Sequence, residues 1–218
     1  DPRLGVIAEL NNGDMTLALQ KGQPNGYDLS GTPGRDISSA PGYTSIGDYS
    51  RPSKYLAKLN APTFILTYAE AELLLADAAQ RWSIAGSAAD HYKNGVIAAI
   101  TYMGPYDPAA AISDATATTW YNANPYNAAT GLDMINTQYW LHTATMFDFY
   151  EAWSNWRRTG LPVLTPVNYP GNATNGSVPR RFPYPLSEAN TNPTNYNAAH
   201  GAVTGGDNLA GRVWWDKQ

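Results

Sequence analysis

Few side chains in this 218-residue sequence have the types and spacing that catalysis needs. Glu70 and Glu72 are two positions apart, so on a helix they point to different sides and cannot act on one substrate atom. Asp148 and Glu151 share a helix face, and we interpret them as part of an ion network with the arginines at 157 and 158. Glycoside hydrolysis needs two carboxyl groups about 5–10 Å apart across a cleft, and nothing here predicts such a pair. We therefore expect no catalytic residue and no enzyme activity.

Metal and phosphate chemistry is not indicated either. Cysteine is absent, and His91, His142 and His200 are not at metal-ligand spacing. His142 falls within an aromatic stripe, so we interpret it as a hydrogen-bonded core residue. The glycine-rich segment 205–208 lacks the lysine of a phosphate-binding loop and is typical of a turn. We predict no cofactor and no histidine-dependent metal site, while an oxygen-only calcium site in the Asn- and Asp-bearing loops stays open.

Aromatic side chains with a polar group are the strongest chemical signal. The chain has 15 Tyr and 7 Trp but only 4 Phe. Such a ring can stack on the apolar face of a pyranose while nearby amides bond its hydroxyls. One cluster combines both residue types and supplies our candidate ligand-binding residues: Trp120, Tyr121, Asn122, Asn124 and Tyr126. The alternative, which stays open, is that these aromatics fasten a loop to the helices.

Composition limits the classes of partner. Charged residues make up 15% of the chain, the net charge is −4, and the few Lys and Arg are scattered, so we expect no nucleic-acid partner. No apolar run approaches the roughly 18 residues of a membrane-spanning helix. The chain begins at Asp1 without a Met or a signal-like segment, so we expect it to be processed or part of something longer.

Residues 62–103 show the clearest helical pattern. Apolar residues recur at helical spacing through 62–82, with Pro62 near the start and Thr63 or Thr67 as candidate caps. A second helix is predicted over 88–103, which makes an antiparallel hairpin of the tetratricopeptide type. One hairpin cannot bury both of its own faces. We therefore expect an exposed apolar face on this chain, where further helices would pack.

The remaining segments are predicted from composition and apolar spacing, and the fold class is mostly α with long irregular, aromatic-rich loops. Residues 1–60 are predicted to be mostly irregular, with short strands near 4–7 and 15–19. Residues 104–132 are predicted to form a loop, and an aromatic stripe predicts one long helix over 133–158. Residues 161–218 are predicted to form a docking tail, with a short helix at 186–190 and an anchoring segment at 212–216.

Several strings resemble the SusD/RagB family, and they occur in the family's order. The opening DPRL (1–4) and the helix string TYAEAELLLADAA (67–79) come first. Two further strings resemble C-terminal elements of the family: FYEAWSNWRRTG (149–160) and RFPYPLSEAN (181–190). The second string is followed by NYN (195–197). The ending GGD (205–207) and RVWWD (212–216) resembles the family's terminus. These matches cover nearly the whole chain and are most similar to SusD-like lipoproteins.

The resemblance implies a function that composition did not show. Family members are lipoproteins on the outer face of the outer membrane of Bacteroidetes, where they cover a TonB-dependent, SusC-like transporter. They capture oligosaccharides or polysaccharides, in some cases peptides, and do no chemistry. The resemblance implies that residues 1–218 are the C-terminal portion of a SusD-like domain with its lipid anchor outside this chain. A structural module that docks in the transporter complex without binding ligand is the alternative.

Overall fold

The computed structural model describes residues 1–84 and 86–216, and the chain splits into two compact units. The first unit contains Asp1–Gln23 and Tyr43–Val163, and the second contains Pro24–Gly42 and Leu164–Gln218. The stretch 24–42, predicted as part of one irregular segment, therefore belongs with the C-terminal region. Residue 85 in the predicted hairpin and residues 217 and 218 of the predicted tail lie outside the described residues.

The structure is mostly helical, which confirms the predicted fold class. The helices of the first unit are α1 (Leu4–Ile7), α2 (Tyr68–Trp82), α3 (Ala88–Thr101), α4 (Asp114–Ala123), α5 (Gly131–Thr145) and α6 (Phe149–Thr159). The second unit contains α7 (Leu186–Thr191) and α8 (Pro193–Ala202). Two short strands, β1 (Ala8–Glu9) and β2 (Arg51–Pro52), pair antiparallel. Within the described ranges, every helix is too short or too polar to cross a membrane.

Helices α2 and α3 form the predicted hairpin. Thr67 is the cap of α2, because its hydroxyl accepts a hydrogen bond from Glu70 N and the Glu70 carboxylate accepts one from Thr67 N. This capping box makes the helix begin at Tyr68, several residues later than predicted. The two helices approach closely at Gly95, where an added Cβ would lie 2.8 Å from Leu73 Cγ.

The main core of the first unit lies between α2, α3, α4 and α5. Its apolar side chains come from one stripe of each helix, as their helical spacing requires. The buried members are Leu73, Ala76, Tyr92, Val96, Ile100, Ala117, Ile135 and Tyr139. The opposite face of α2 is exposed. It carries Tyr68, Leu75 and Trp82, which share this face because they are spaced seven residues apart. The exposed apolar face expected of a lone hairpin is therefore present.

Two predicted segments are wrong in their secondary structure. Residues 104–132 are not one loop, since Ser113 accepts a hydrogen bond from Thr116 N and so begins helix α4. Residues 133–158 are not one helix, since Phe147 adopts a left-handed conformation with φ 63°. Asp148 then caps a new helix, α6, by accepting a hydrogen bond from Glu151 N at 3.1 Å. Helix α6 ends before Gly160, as predicted.

The N-terminal strands are also placed differently from the prediction. Residues 4–7 form helix α1, because Arg3 O accepts hydrogen bonds from Val6 N and Ile7 N, and the strand begins only at Ala8. Residues 17–19 form a turn of 3-10 helix. Arg3 itself is buried, where its guanidinium donates to the Asp1 carboxylate and to Gln138 Oε1. Burial lowers the pKa of Arg3 to about 10.

The second unit confirms the short helix predicted at 186–190, which is α7. Helix α8 follows it directly and was not predicted. An isolated antiparallel bridge joins Thr204 to Arg212, and a parallel one joins Asp28 to Asp36. Turns and side-chain hydrogen bonds organise most of the remaining chain in this unit.

Candidate functional site

Helix α4 carries a predicted ligand-binding residue, Trp120, that lines a cavity. One side of Trp120 packs against the main core, and its other side faces an open cavity of about 460 Å³. The cavity wall continues along one face of α4 and includes Pro2, Ala115, Thr116, Thr119 and Ala123. The wall is apolar apart from threonine hydroxyls, of which Thr119 Oγ1 donates to Ala115 O at 2.8 Å. A half-exposed indole in an apolar hollow is suited to stacking on a flat ligand.

Tyr121 and Tyr126 occupy a different environment, against the core. Their ring centroids lie 6.3 and 5.3 Å from that of Tyr92, and both rings pack on the main core cluster. The Tyr126 hydroxyl donates to Gln80 Oε1 at 2.5 Å. Burial raises the pKa of Tyr126. These contacts are those expected if the aromatics fasten the segment to the helices, which was the alternative interpretation of this cluster.

The two candidate asparagines lie at the C-terminal end of α4. Asn122 and Asn124 are exposed. Asn124 Nδ2 donates to Trp120 O at 2.9 Å, so its amide satisfies a carbonyl of the last helical turn. The structure thus places Trp120 at the cavity, Tyr121 and Tyr126 against the core, and the asparagines at the end of the helix.

The carboxylates of α6 make structural contacts, and Arg158 of the predicted ion network pairs with a different carboxylate. Asp148 caps α6, and Glu151 Oε1 accepts a hydrogen bond from the Tyr139 hydroxyl at 2.8 Å. Arg158 donates instead to Asp77 at 3.1 Å, where Arg81 and Asn136 also donate. Burial opposes ionisation of Asp77, but these three donors together hold the pKa of its carboxyl below its usual value.

His142 and His91 make structural contacts. His142 is buried, and its Nε2 lies 2.7 Å from Thr67 Oγ1, which confirms the predicted hydrogen-bonded core histidine. Burial, helped by the nearby Arg3 charge, lowers the pKa of His142 to about 3. His91 Nδ1 lies 2.7 Å from the Glu72 carboxylate. Among residues 1–84 and 86–216, no three His, Asp or Glu side chains are grouped as a metal would need.

A second aromatic cavity, of about 340 Å³, lies in the second unit and was missed from the sequence. The segment 212–216 was predicted to anchor on the body. Asp216 is indeed buried and paired with Arg180, but the Trp214 side chain is 85% exposed and lines this cavity. The signal in the sequence was the tryptophan pair itself, which we interpreted as an anchor. Tyr184 and two arginines line the same cavity.

Comparison with known families identifies the class of this helical protein. A family model described as SusD-like, starch-binding and associating with the outer membrane matches residues 1–185. The match covers most of the chain. The chain therefore belongs to the SusD-like family, as the sequence strings indicated. None of the curated proteins matches it.

Solved structures show the same fold over the whole chain. A chitin-binding protein is 36% identical with a TM-score of 0.79, and the match covers 100% of this chain and 47% of that protein. A SusD homologue from Bacteroides fragilis is 23% identical with a TM-score of 0.74 and coverages of 100% and 49%. Another from Parabacteroides distasonis is 21% identical with a TM-score of 0.72 and coverages of 100% and 44%. The chain thus spans about half the length of these relatives.

Proposed function

We propose that the complete protein captures oligosaccharides or polysaccharides at the bacterial surface for import through a SusC-like, TonB-dependent outer-membrane transporter. A lipid anchor outside this chain holds the protein on the outer face of the membrane, and the protein performs no chemistry on its ligand. Membership of a family described as starch-binding and associating with the outer membrane supports both a carbohydrate ligand and an outer-membrane location. The single observation in the structure that supports it is the half-exposed Trp120 in the open cavity on α4.

The cavity on α4 has the composition that sugar binding needs. The apolar face of a pyranose excludes water against an aromatic ring, and its hydroxyls need donors and acceptors at the rim. Trp120 supplies the ring, and Thr116 and Thr119 supply hydroxyls on the same helix face. The open shape allows a chain of sugars to pass through, which suits a polymer fragment. Because a 36% identical protein is chitin-binding, β-1,4-linked N-acetylglucosamine oligomers are the first ligands to test.

A glycan array followed by calorimetry on the complete protein tests this proposal. The array contains plant, host and chitin-derived glycans, with a peptide set to detect peptide capture. Trp120→Ala should weaken binding about tenfold or more, as loss of a central aromatic contact commonly does. Tyr121→Ala is the matched control, since it removes an adjacent ring that packs on Tyr92 and should lower stability more than affinity. Wild-type protein that binds no glycan would overturn the proposal.

A docking module is the second candidate function, and the exposed apolar face of α2 favours it. Trp82 is 64% exposed and lies on the same face as Tyr68 and Leu75. Such a face is typical of a surface that another protein element covers. In this case the complete protein would associate with the transporter and bind no soluble glycan. Co-purification with the transporter, measured beside the glycan array, separates the two functions.

A further inference from the structure

The cavity of the second unit is formed by the end of α8 and the chain's last described turn. It has a volume of about 340 Å³, at the lower end of the range for small-ligand sites. Its wall combines apolar side chains with aromatic rings and guanidinium groups. The lining residues are Arg181, Tyr184, Ala199, Ala202, Val203, Thr204, Arg212, Val213 and Trp214.

Trp214 is the unusual member of this wall. Its side chain is 85% exposed, whereas tryptophan is on average among the well-buried residues. Within residues 1–84 and 86–216, no atom accepts a hydrogen bond from its indole N–H. A large ring exposed beside a concave surface is typical of a ligand contact, because stability alone favours covering it.

The turn that presents Trp214 is held at both ends. On one side, Arg212 N donates to Thr204 O at 3.0 Å in an antiparallel bridge. On the other side, Asp216 N donates to Val213 O at 3.0 Å, and the buried Asp216 carboxylate accepts from Arg180 Nε at 2.8 Å. Arg212 Nη1 also donates to Asp216, at 3.1 Å. The exposed ring therefore stands on an ordered backbone, which limits the entropy lost when a ligand binds.

Tyr184 is fixed in the same cavity by a buried carboxylate. Its backbone N–H donates to Asp207 Oδ1 at 3.0 Å, and Arg181 Nη1 donates to the same oxygen at 2.6 Å. The Arg181 guanidinium lies 4.8 Å from the centre of the Tyr184 ring. The ring also contacts Tyr196 edge-on, with centroids 6.4 Å apart. Tyr184 thus offers a positioned ring and hydroxyl beside the cavity.

The charges of the cavity select the kind of ligand. Arg181 is paired with Asp207, and Arg212 shares Asp216 with Arg180, so these three guanidinium groups already have carboxylate partners. An anionic ligand would have to compete with these carboxylates. A neutral ligand can still use the remaining N–H groups as donors to its hydroxyls. Hydrogen-bond donors next to two aromatic rings therefore match a neutral pyranose.

We propose that this cavity is a second saccharide subsite, separate from the cavity on α4, in which a neutral pyranose stacks on Trp214. Its hydroxyls accept hydrogen bonds from Arg212 and bond the Tyr184 hydroxyl. β-1,4-Linked sugars with equatorial substituents suit the site, because their flat apolar faces stack best on a ring. The inference rests on the proposed capture function and adds to it the residues of a further binding site.

The test is calorimetric titration of the complete protein with neutral hexasaccharides. The probes are cellohexaose, chitohexaose and xylohexaose, with maltohexaose as the helical, α-linked comparison. Trp214→Ala should raise the Kd for at least one β-1,4-linked probe about tenfold, and Trp214→Phe should raise it less. Leu186→Ala is the matched control, since Leu186 is an equally exposed apolar side chain of the same unit outside the cavity. It should leave the Kd unchanged.

The variants separate failure of this subsite from failure of the proposed function. If Trp214→Ala binds as the wild type does while Trp120→Ala loses binding, the subsite is overturned and glycan capture stands. If Leu186→Ala weakens binding as much as Trp214→Ala, the effect is not specific to the cavity and the subsite is again overturned. A wild-type protein that binds none of the hexasaccharides overturns both proposals.

Discussion

His142 Nε2 lies 2.7 Å from Thr67 Oγ1, so a buried histidine of α5 contacts the residue that caps α2. Thr67 Oγ1 also donates to Glu70 Oε2 at 2.8 Å, which uses its only proton. His142 must then donate through Nε2–H, as the neutral tautomer with hydrogen on that nitrogen. One hydroxyl therefore joins the start of α2 to the last turn of α5.

Thr67→Ala should destabilise the protein more than an ordinary loss of a cap. An N-cap substitution costs about 1 kcal/mol, and here the buried His142 N–H also loses its acceptor, which adds about 1–3 kcal/mol. Urea unfolding measures the change. Ser87→Ala is the control, since Ser87 caps α3 through one bond to Asp90 N. Equal losses for the two variants would show that the His142 contact contributes nothing.

The free energy of unfolding should decrease as the pH is lowered, because His142 is harder to protonate in the folded protein than in the unfolded chain. The pKa of His142 is about 3 in the folded protein against 6.5 for the free side chain, so the unfolded state binds more protons between these values. The contribution of His142 is complete above pH 6.5 and is lost as pH falls toward 3. Between pH 7.5 and 5.5 it should decrease by about 1.4 kcal/mol.

Urea unfolding of wild type and His142→Gln at these two pH values checks the prediction. The variant should lose most of this pH dependence, whatever its stability at pH 7.5. His200→Gln, at an exposed position of α8, should behave as the wild type. Glu70 has a raised pKa, because burial outweighs its bonds to Thr67, and it acts in the opposite direction.

The hairpin was predicted correctly because its helices have aliphatic periodicity. The hairpin of α2 and α3 follows from apolar residues at helical spacing, and Thr67 was one of two candidate caps. Helix α4 was missed because its sequence, DATATTWYNA, is rich in threonine and buries only Ala117. The break at Phe147 was missed because an aromatic stripe continues across it, and left-handed backbone at a phenylalanine has no local signal.

The candidate site was only partly predictable for a related reason. Residue types showed that the 120–126 cluster was rich in rings and amides, but not which rings point inward. Tyr92 on α3 decides this, since Tyr121 and Tyr126 pack against it while Trp120 reaches the cavity. The exposure of Trp214 depends on Arg180 and Arg212, which bind Asp216 and so fix the turn. The contacts of Tyr92 and Arg180 join residues far apart in sequence, so they leave no pattern within a single chain.

Gly95→Ala should destabilise the hairpin although alanine favours helices. An added Cβ at Gly95 would lie 2.8 Å from Leu73 Cγ and 3.2 Å from Leu73 N, so the helices must separate. Overpacking of this kind costs about 1–3 kcal/mol. At Gly201 in α8 an added Cβ meets nothing within 4 Å, so Gly201→Ala should be neutral or stabilising by up to about 1 kcal/mol. In thermal unfolding, Gly95→Ala should lower the Tm and Gly201→Ala should not. A Gly95→Ala variant whose Tm is not lowered would contradict the close approach of the two helices.

The exposed face of α2 should make the isolated 218-residue chain associate with itself. Tyr68, Leu75 and Trp82 form an apolar stripe along the helix, and an uncovered stripe favours association in water. Leu75→Glu places a charge in its centre and should shift the chain toward monomer in light scattering. Leu164→Glu, in the second unit at the same exposure, is the control and should not. If further helices of the complete protein, and not the transporter, cover this face, Leu75→Glu should instead lower the free energy of unfolding, because it buries an unpaired carboxylate. A monomeric isolated chain with an unaffected variant would contradict the expectation that this hairpin needs a covering element.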